Sequence, residues 1–152
     1  LGDSQASGDE LRPLREIIID HYKNPRNKEE INDNRYITIH MDSASCIDDI
    51  YLQVLIIDNK IEDMKWHGTG CTISLASTSI LSTMIKNMSV DEADSLINSF
   101  NEFLLGHDES EEKLKELYAF KNVNRQPSRI TCANISFRGL KEALKEYQKN
   151  EK

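Results

Sequence analysis

The chain contains no apolar run approaching the ~20 residues that cross a bilayer. Its first ten residues, LGDSQASGDE, are acidic and polar, without the apolar stretch of a secretion signal. Neither a membrane span nor a secretory leader is therefore expected, and a cytoplasmic location is. Positive charge is scarce: 19 Lys and Arg face 26 Asp and Glu, a formal net charge of −7. That deficit argues against general nucleic-acid binding, which needs basic footing on phosphates. It is compatible with docking onto a basic protein patch. Cysteine is few and odd in number, at Cys46, Cys71 and Cys132, and three cysteines without a leader do not make a disulfide framework.

What is present describes a globular chain. A hydrophobic share of 38% against 30% charged, over 152 residues, suits one folded domain with a real core. Residues 1–10, rich in Gly, Ser and Asp, are expected to be disordered, with a single domain over 11–150. From Leu11 to Lys23, Leu14, Ile17, Ile18 and Tyr22 recur on one helical face, and Pro25 stops the helix. Three β-type runs follow: Tyr36 to Met41, Ile50 to Ile57, and Ile61 to His67. Asp58-Asn59-Lys60 makes a hairpin turn in which Asn59 can take positive φ.

After Gly70 the pattern is mostly helical. Ile73, Ala76, Ser77, Ile80, Leu81, Met84 and Ile85 form a stripe whose small residues would let a helix lie close to the sheet. Ser89 and Glu92 have the spacing of a capping box, opening a helix that Gly106 ends. A further helix is expected over Glu111 to Phe120 and a last one from about Cys132 through Tyr147. The expected class is α+β, a small three-stranded antiparallel sheet with helices packed on it, since so few strands cannot bury a core alone.

The cysteines share a feature on this reading. Cys46 falls in the loop between the first two strands, Cys71 opens a helix, and Cys132 stands where a loop enters the last helix. Three separate cysteines buried as small hydrophobes would more naturally lie inside elements, so a shared metal site is favoured. Cys71 at a helix start gains thiolate character from the free N–H groups and the dipole. A tetrahedral zinc site needs a fourth ligand. Asp48, two residues after Cys46, faces the same side of an extended segment, whereas Asp49 faces away. The negative charge of three thiolates and a carboxylate would exceed that of the ion. The helix N-termini and a nearby cation would offset it; Arg129 is a candidate for that cation, or else an ordinary surface arginine. His67 precedes the glycine turn and reads as a partly exposed strand-end residue; His21 and His40 read as ordinary helix and strand positions, and His107 as a loop residue.

DHYKNPRN at residues 20–27, Cys46-x-Asp48, GTGCTIS-x-AS at residues 68–77 and Arg129-x-x-Cys132 occur here in one order. With them the chain, over roughly Leu14 to Tyr147, resembles the U-type iron–sulfur cluster assembly family, the IscU and NifU N-terminal group. It is most similar to the zinc-binding SufU subgroup. IscU members carry His before the third cysteine, where this chain has Thr131. The longer stretch between Cys71 and Cys132, around Gly106 to Phe120, also resembles SufU.

The resemblance implies a SufE/NifU-like fold and a metal site of Cys46, Asp48, Cys71 and Cys132. It implies zinc as cofactor, or an iron–sulfur cluster on the IscU alternative. It further implies a sulfurtransferase that accepts persulfide sulfur from a SufS-type cysteine desulfurase and passes it to downstream assembly or sulfur-accepting proteins. In that picture a desulfurase histidine displaces Cys46 from zinc, and the freed thiolate is the sulfur acceptor. The alternatives are a scaffold that assembles and transfers a cluster, or a structural zinc adaptor without sulfur transfer. The sequence departs from the family at Ser43-Ala44-Ser45-Cys46-Ile47-Asp48, where Asn-Pro-x-Cys-Gly-Asp is usual. Ile47 there excludes backbone angles open to glycine.

Overall fold

The structure, a computed structural model, describes residues 13–42 and 47–150. Cys46, and the segment expected to be disordered over 1–10, lie outside the described residues. The order of elements is α1 (Leu14–Lys23), β1 (Ile37–Asp42), β2 (Asp49–Ile57), β3 (Lys60–Thr69), α2 (Thr72–Met84), α3 (Val90–Leu104), α4 (Glu111–Leu114) and α5 (Pro127–Asn150). Two 3₁₀ segments, Lys115–Phe120 and Val123–Arg125, join α4 to α5. None of the described helices is long and apolar enough to cross a membrane.

The sheet is antiparallel in the order β1-β2-β3. β2 and β3 join through Asp58 and Asn59, both at positive φ (52° and 61°). That is the two-residue geometry matching the twist of a hairpin. Val54 pairs with Met64 but Ile56 with Ile61, so β3 carries one extra residue at Glu62. This bulge explains the broken alternation of the third strand: it brings Ile61, Met64 and Trp66 to the same buried face. That face meets Ile50, Leu52, Val54 and Ile56 of β2 in one contiguous core.

α5 lies across β1 and β2 and packs against α2, which packs in turn against α1. The close approach to the sheet belongs to α5, not to α2. A Cβ at Gly139 would stand 2.7 Å from Leu52 Cδ1 and 2.8 Å from Met41 Cγ. The small residues of α2 serve helix–helix contact instead. The Ser77 hydroxyl donates to the Ala133 carbonyl of α5 (2.5 Å), and Ser79 Oγ meets His21 Nδ1 of α1 (2.8 Å).

Three expectations are corrected. On α1, Ile17 is buried but Tyr22 is exposed, and His21 takes the inward place at 1% exposure because Ser79 and Glu116 satisfy its ring nitrogens. The segment 111–120 is α-helical only to Leu114; Lys115, at φ 51°, ends it and the chain tightens into 3₁₀. The last helix starts at Pro127, five residues before Cys132, since proline's fixed φ and missing N–H suit a first helical turn. The Ser89–Glu92 capping box and the stop at Gly106 (φ 98°) are as expected.

Candidate metal centre

Asp48, Cys71 and Cys132 meet at one end of the sheet. Their ligand-capable atoms all lie within 4.8 Å of one another, the one such group of three among the described residues. Each arrives by a different route. Asp48 stands directly before β2. β3 runs antiparallel to β2 as far as Thr69, so Gly70 and Cys71 emerge beside Asp48. Cys71 is the N-cap of α2, with extended backbone (φ −78°, ψ 169°), and its sulfur accepts the N–H of Ser74 at 3.5 Å. Cys132 comes from the second turn of α5, held where α5 meets α2 by the Ser77–Ala133 bond next to it.

Asp48 is 2% exposed. Its Oδ1 accepts the Cys71 N–H (3.0 Å) and the Ser74 hydroxyl (2.7 Å). Its Oδ2 is buried and has no hydrogen-bond partner among the described residues. A buried carboxylate oxygen without a donor is unfavourable by ~1–3 kcal/mol or more unless something else binds it. A cation beside Oδ2 and the two thiols meets that need, and thiolate, thiolate and carboxylate oxygen are the donor types zinc accepts. The residues present therefore fit a zinc ion. Cys71 caps the N-terminus of α2, and the positive end of that helix dipole favours negative charge there. α5 contributes less than a helix start would, because Cys132 lies beyond its first turn.

The remaining candidates are placed as follows. Arg129 is exposed on the first turn of α5 and lines an open groove of about 710 Å³ together with Leu14, Arg15, Ile18, Thr72 and Ile73. Asp49 points to the outer face of the sheet and bonds His40. His40, Tyr51 and His67 stack in one row across the three strands, with ring centroids 4.1 and 4.9 Å apart. His107 is exposed near Glu102. The Ile47 side chain is 71% exposed.

Sequence reasoning missed two sets of residues. Ser74 bonds two of the three clustered side chains; its position three residues after an N-cap cysteine was the available signal. The DHYKNPRN segment is a structural clamp. The Arg26 carbonyl accepts Trp66 Nε1–H (2.8 Å), the Arg26 N–H donates to Ser79 Oγ (2.9 Å), and the Trp66 N–H donates to the Asn27 carbonyl (3.1 Å).

The NifU-like N terminal domain family matches residues 14–152. A relative named as the zinc-dependent sulfurtransferase SufU of Bacillus subtilis is 36% identical over 132 residues, covering 86% of this chain and 88% of that one. An iron–sulfur cluster assembly scaffold protein IscU of Thermotoga maritima is 32% identical over 130 residues, covering 86% and 91%. Among solved structures, a SUF-system scaffold protein from Fervidobacterium islandicum superposes with a TM-score of 0.80 at 29% identity, over 85% of this chain and 94% of that one. The fold is the same small antiparallel sheet with packed helices, and the chain belongs to the NifU-like N-terminal domain family of iron–sulfur cluster assembly proteins.

Proposed function

We propose that the chain is a SufU-type sulfur acceptor, a zinc-dependent sulfurtransferase that takes persulfide sulfur from a SufS-type cysteine desulfurase for cluster assembly in the cytoplasm. The observation that carries this reading is the buried Oδ2 of Asp48, without a hydrogen-bond partner among the described residues, beside Cys71 and Cys132. It is supported by the 36% identity to a protein named as zinc-dependent SufU. Asp48, Cys71 and Cys132 would hold the ion, with Cys46 two residues upstream of Asp48 as fourth ligand. Bound zinc keeps its thiolates deprotonated and exchanges ligands without redox change.

Cys71 and Asp48 are tied to the start of α2 by hydrogen bonds and serve as anchors. Cys46 is the sulfur acceptor. Its thiolate attacks the outer sulfur of the desulfurase persulfide; a new S–S bond forms on Cys46 as the old one breaks, and the desulfurase cysteine leaves as thiolate. The electron count is unchanged. Arg15 and Arg129, on the groove beside the Cys71–Thr72 corner, offer cationic contacts to the partner on an otherwise acidic chain.

A scaffold reading is favoured by the similarity to proteins named IscU. The two are separated by the position before Cys132, which holds an exposed, uncharged Thr131 here. In a desulfurase assay with the zinc-loaded protein, Cys46→Ala is expected to abolish stimulation of sulfide release. Undiminished stimulation would refute the acceptor role, and assembly of a stable cluster by the wild type with no stimulation would favour the scaffold.

A further inference from the structure

We propose that Ser74 is the positioning residue of the metal centre. It decides which oxygen of Asp48 is turned toward the thiols, and Gly70 leaves the space in which it does so. This rests on the reading of Asp48, Cys71 and Cys132 as metal ligands.

Ser74 is fully buried, and its hydroxyl has one proton to give. Two acceptors are near, Asp48 Oδ1 at 2.7 Å and the Cys71 carbonyl at 3.1 Å, while the Cys71 thiol, 3.5 Å away, donates to the hydroxyl oxygen. The carboxylate is the shortest contact and the charge-assisted one, so it takes the proton. With the Cys71 N–H also on Oδ1, both donors sit on the same oxygen. Oδ1 is thereby occupied and Oδ2 is left for a cation. The backbone N–H of Ser74 points to Cys71 Sγ. One residue thus holds two ligands, the carboxylate through its side chain and the thiolate through its main chain.

Gly70 completes the device. A Cβ there would stand 2.6 Å from Ser74 Oγ and 2.8 Å from Asp48 Oδ1. Gly70 is not among the glycines at positive φ, so this glycine answers to space and not to backbone conformation. Any side chain at position 70 would displace the hydroxyl, the carboxylate or both.

The test measures the metal directly, on the full chain, with zinc in competition against a chromophoric chelator and cobalt(II) as a spectroscopic probe. Partners that orient metal ligands typically matter 10–100-fold in affinity. Ser74→Ala is expected to weaken zinc binding by about that factor and to shift the visible cobalt bands as the Asp48 oxygen loses its orientation. Gly70→Ala is expected to do the same. Ser74→Thr, which keeps the hydroxyl, should restore both readouts. Circular dichroism of the metal-free variants checks that they fold, and Gly70→Ala carries the test if Ser74→Ala does not. Zinc affinity within twofold of wild type and an unchanged cobalt spectrum in both Ala variants would overturn the role of Ser74, while a loss in Asp48→Ala would leave the centre itself standing. If Asp48→Ala and Cys71→Ser also bind zinc like the wild type, the metal reading itself fails and the Ser74 proposal with it.

Discussion

Two glycines flank Thr69, and they are glycines for different reasons. Gly68 pairs with Ile50 at the end of β3 with φ 130°, and a Cβ there would sit 2.1 Å from the Asp49 carbonyl and 2.9 Å from Ile50 Cα. Neither atom can move without opening the β2–β3 ladder beside Asp48. Gly68→Ala is therefore expected to destabilise the fold by on the order of 3 kcal/mol or more, combining a forbidden φ with a backbone clash. Urea unfolding checks it, and a loss under ~1 kcal/mol would contradict the close approach. At this scale much of the centre was legible. The alternation of extended residues separates Asp48 from Asp49, and a cysteine after Gly-Thr-Gly reads as a helix start. Ser74 was legible only as the residue three positions after an N-cap cysteine; its hydrogen bond to a carboxylate 26 positions away is encoded by no local pattern.

Elements in this fold are fastened by buried polar groups as well as by apolar faces. His21 of α1 bonds Ser79 of α2 through Nδ1 (2.8 Å) and Glu116 of the first 3₁₀ segment through Nε2 (2.9 Å). Burial pushes the His21 pKa below its usual 6.5, and the neighbouring Glu116 carboxylate opposes that only in part. The unfolded chain then binds a proton that the folded chain resists. Stability from this group is complete above the unfolded value and is lost as pH falls from about 6.5 through the lowered folded value. The urea midpoint of the wild type should fall across that window, and His21→Gln should remove that component of the fall while lowering stability at pH 8. An identical pH profile in the variant would show that His21 does not titrate in this way. This clamp also shows why helix-level reading failed in places. Apolar periodicity assigned Tyr22 inward because it cannot value a buried histidine with two partners. Proline punctuation was read as a stop at Pro25, correctly, but the start at Pro127 was passed over, and Cys132 was moved from a junction to the second turn of α5.

At the scale of the whole molecule, the centre joins distant parts of the chain: the segment before β2, the cap of α2 and the second turn of α5, at positions 48, 71 and 132. Three antiparallel strands and packed helices could be read from strand-like runs, turn residues and caps. The convergence of the three side chains could only be suggested, because it depends on α5 lying across the sheet and locking onto α2. A metal ion that binds this arrangement and not the unfolded chain stabilises all of those contacts together. At free zinc about a thousandfold above the dissociation constant, the gain is ~4 kcal/mol, which for a domain of this size raises the melting temperature by roughly 8–16 °C. Adding a strong chelator to the zinc-loaded protein should remove that increment. Cys132→Ser should melt at nearly the same temperature with and without zinc, since the link between α5 and the rest of the centre is then broken. A melting temperature that ignores both zinc and chelator in the wild type would mean that α5, α2 and β2 are held by packing alone, and that Asp48 Oδ2 meets its partner some other way.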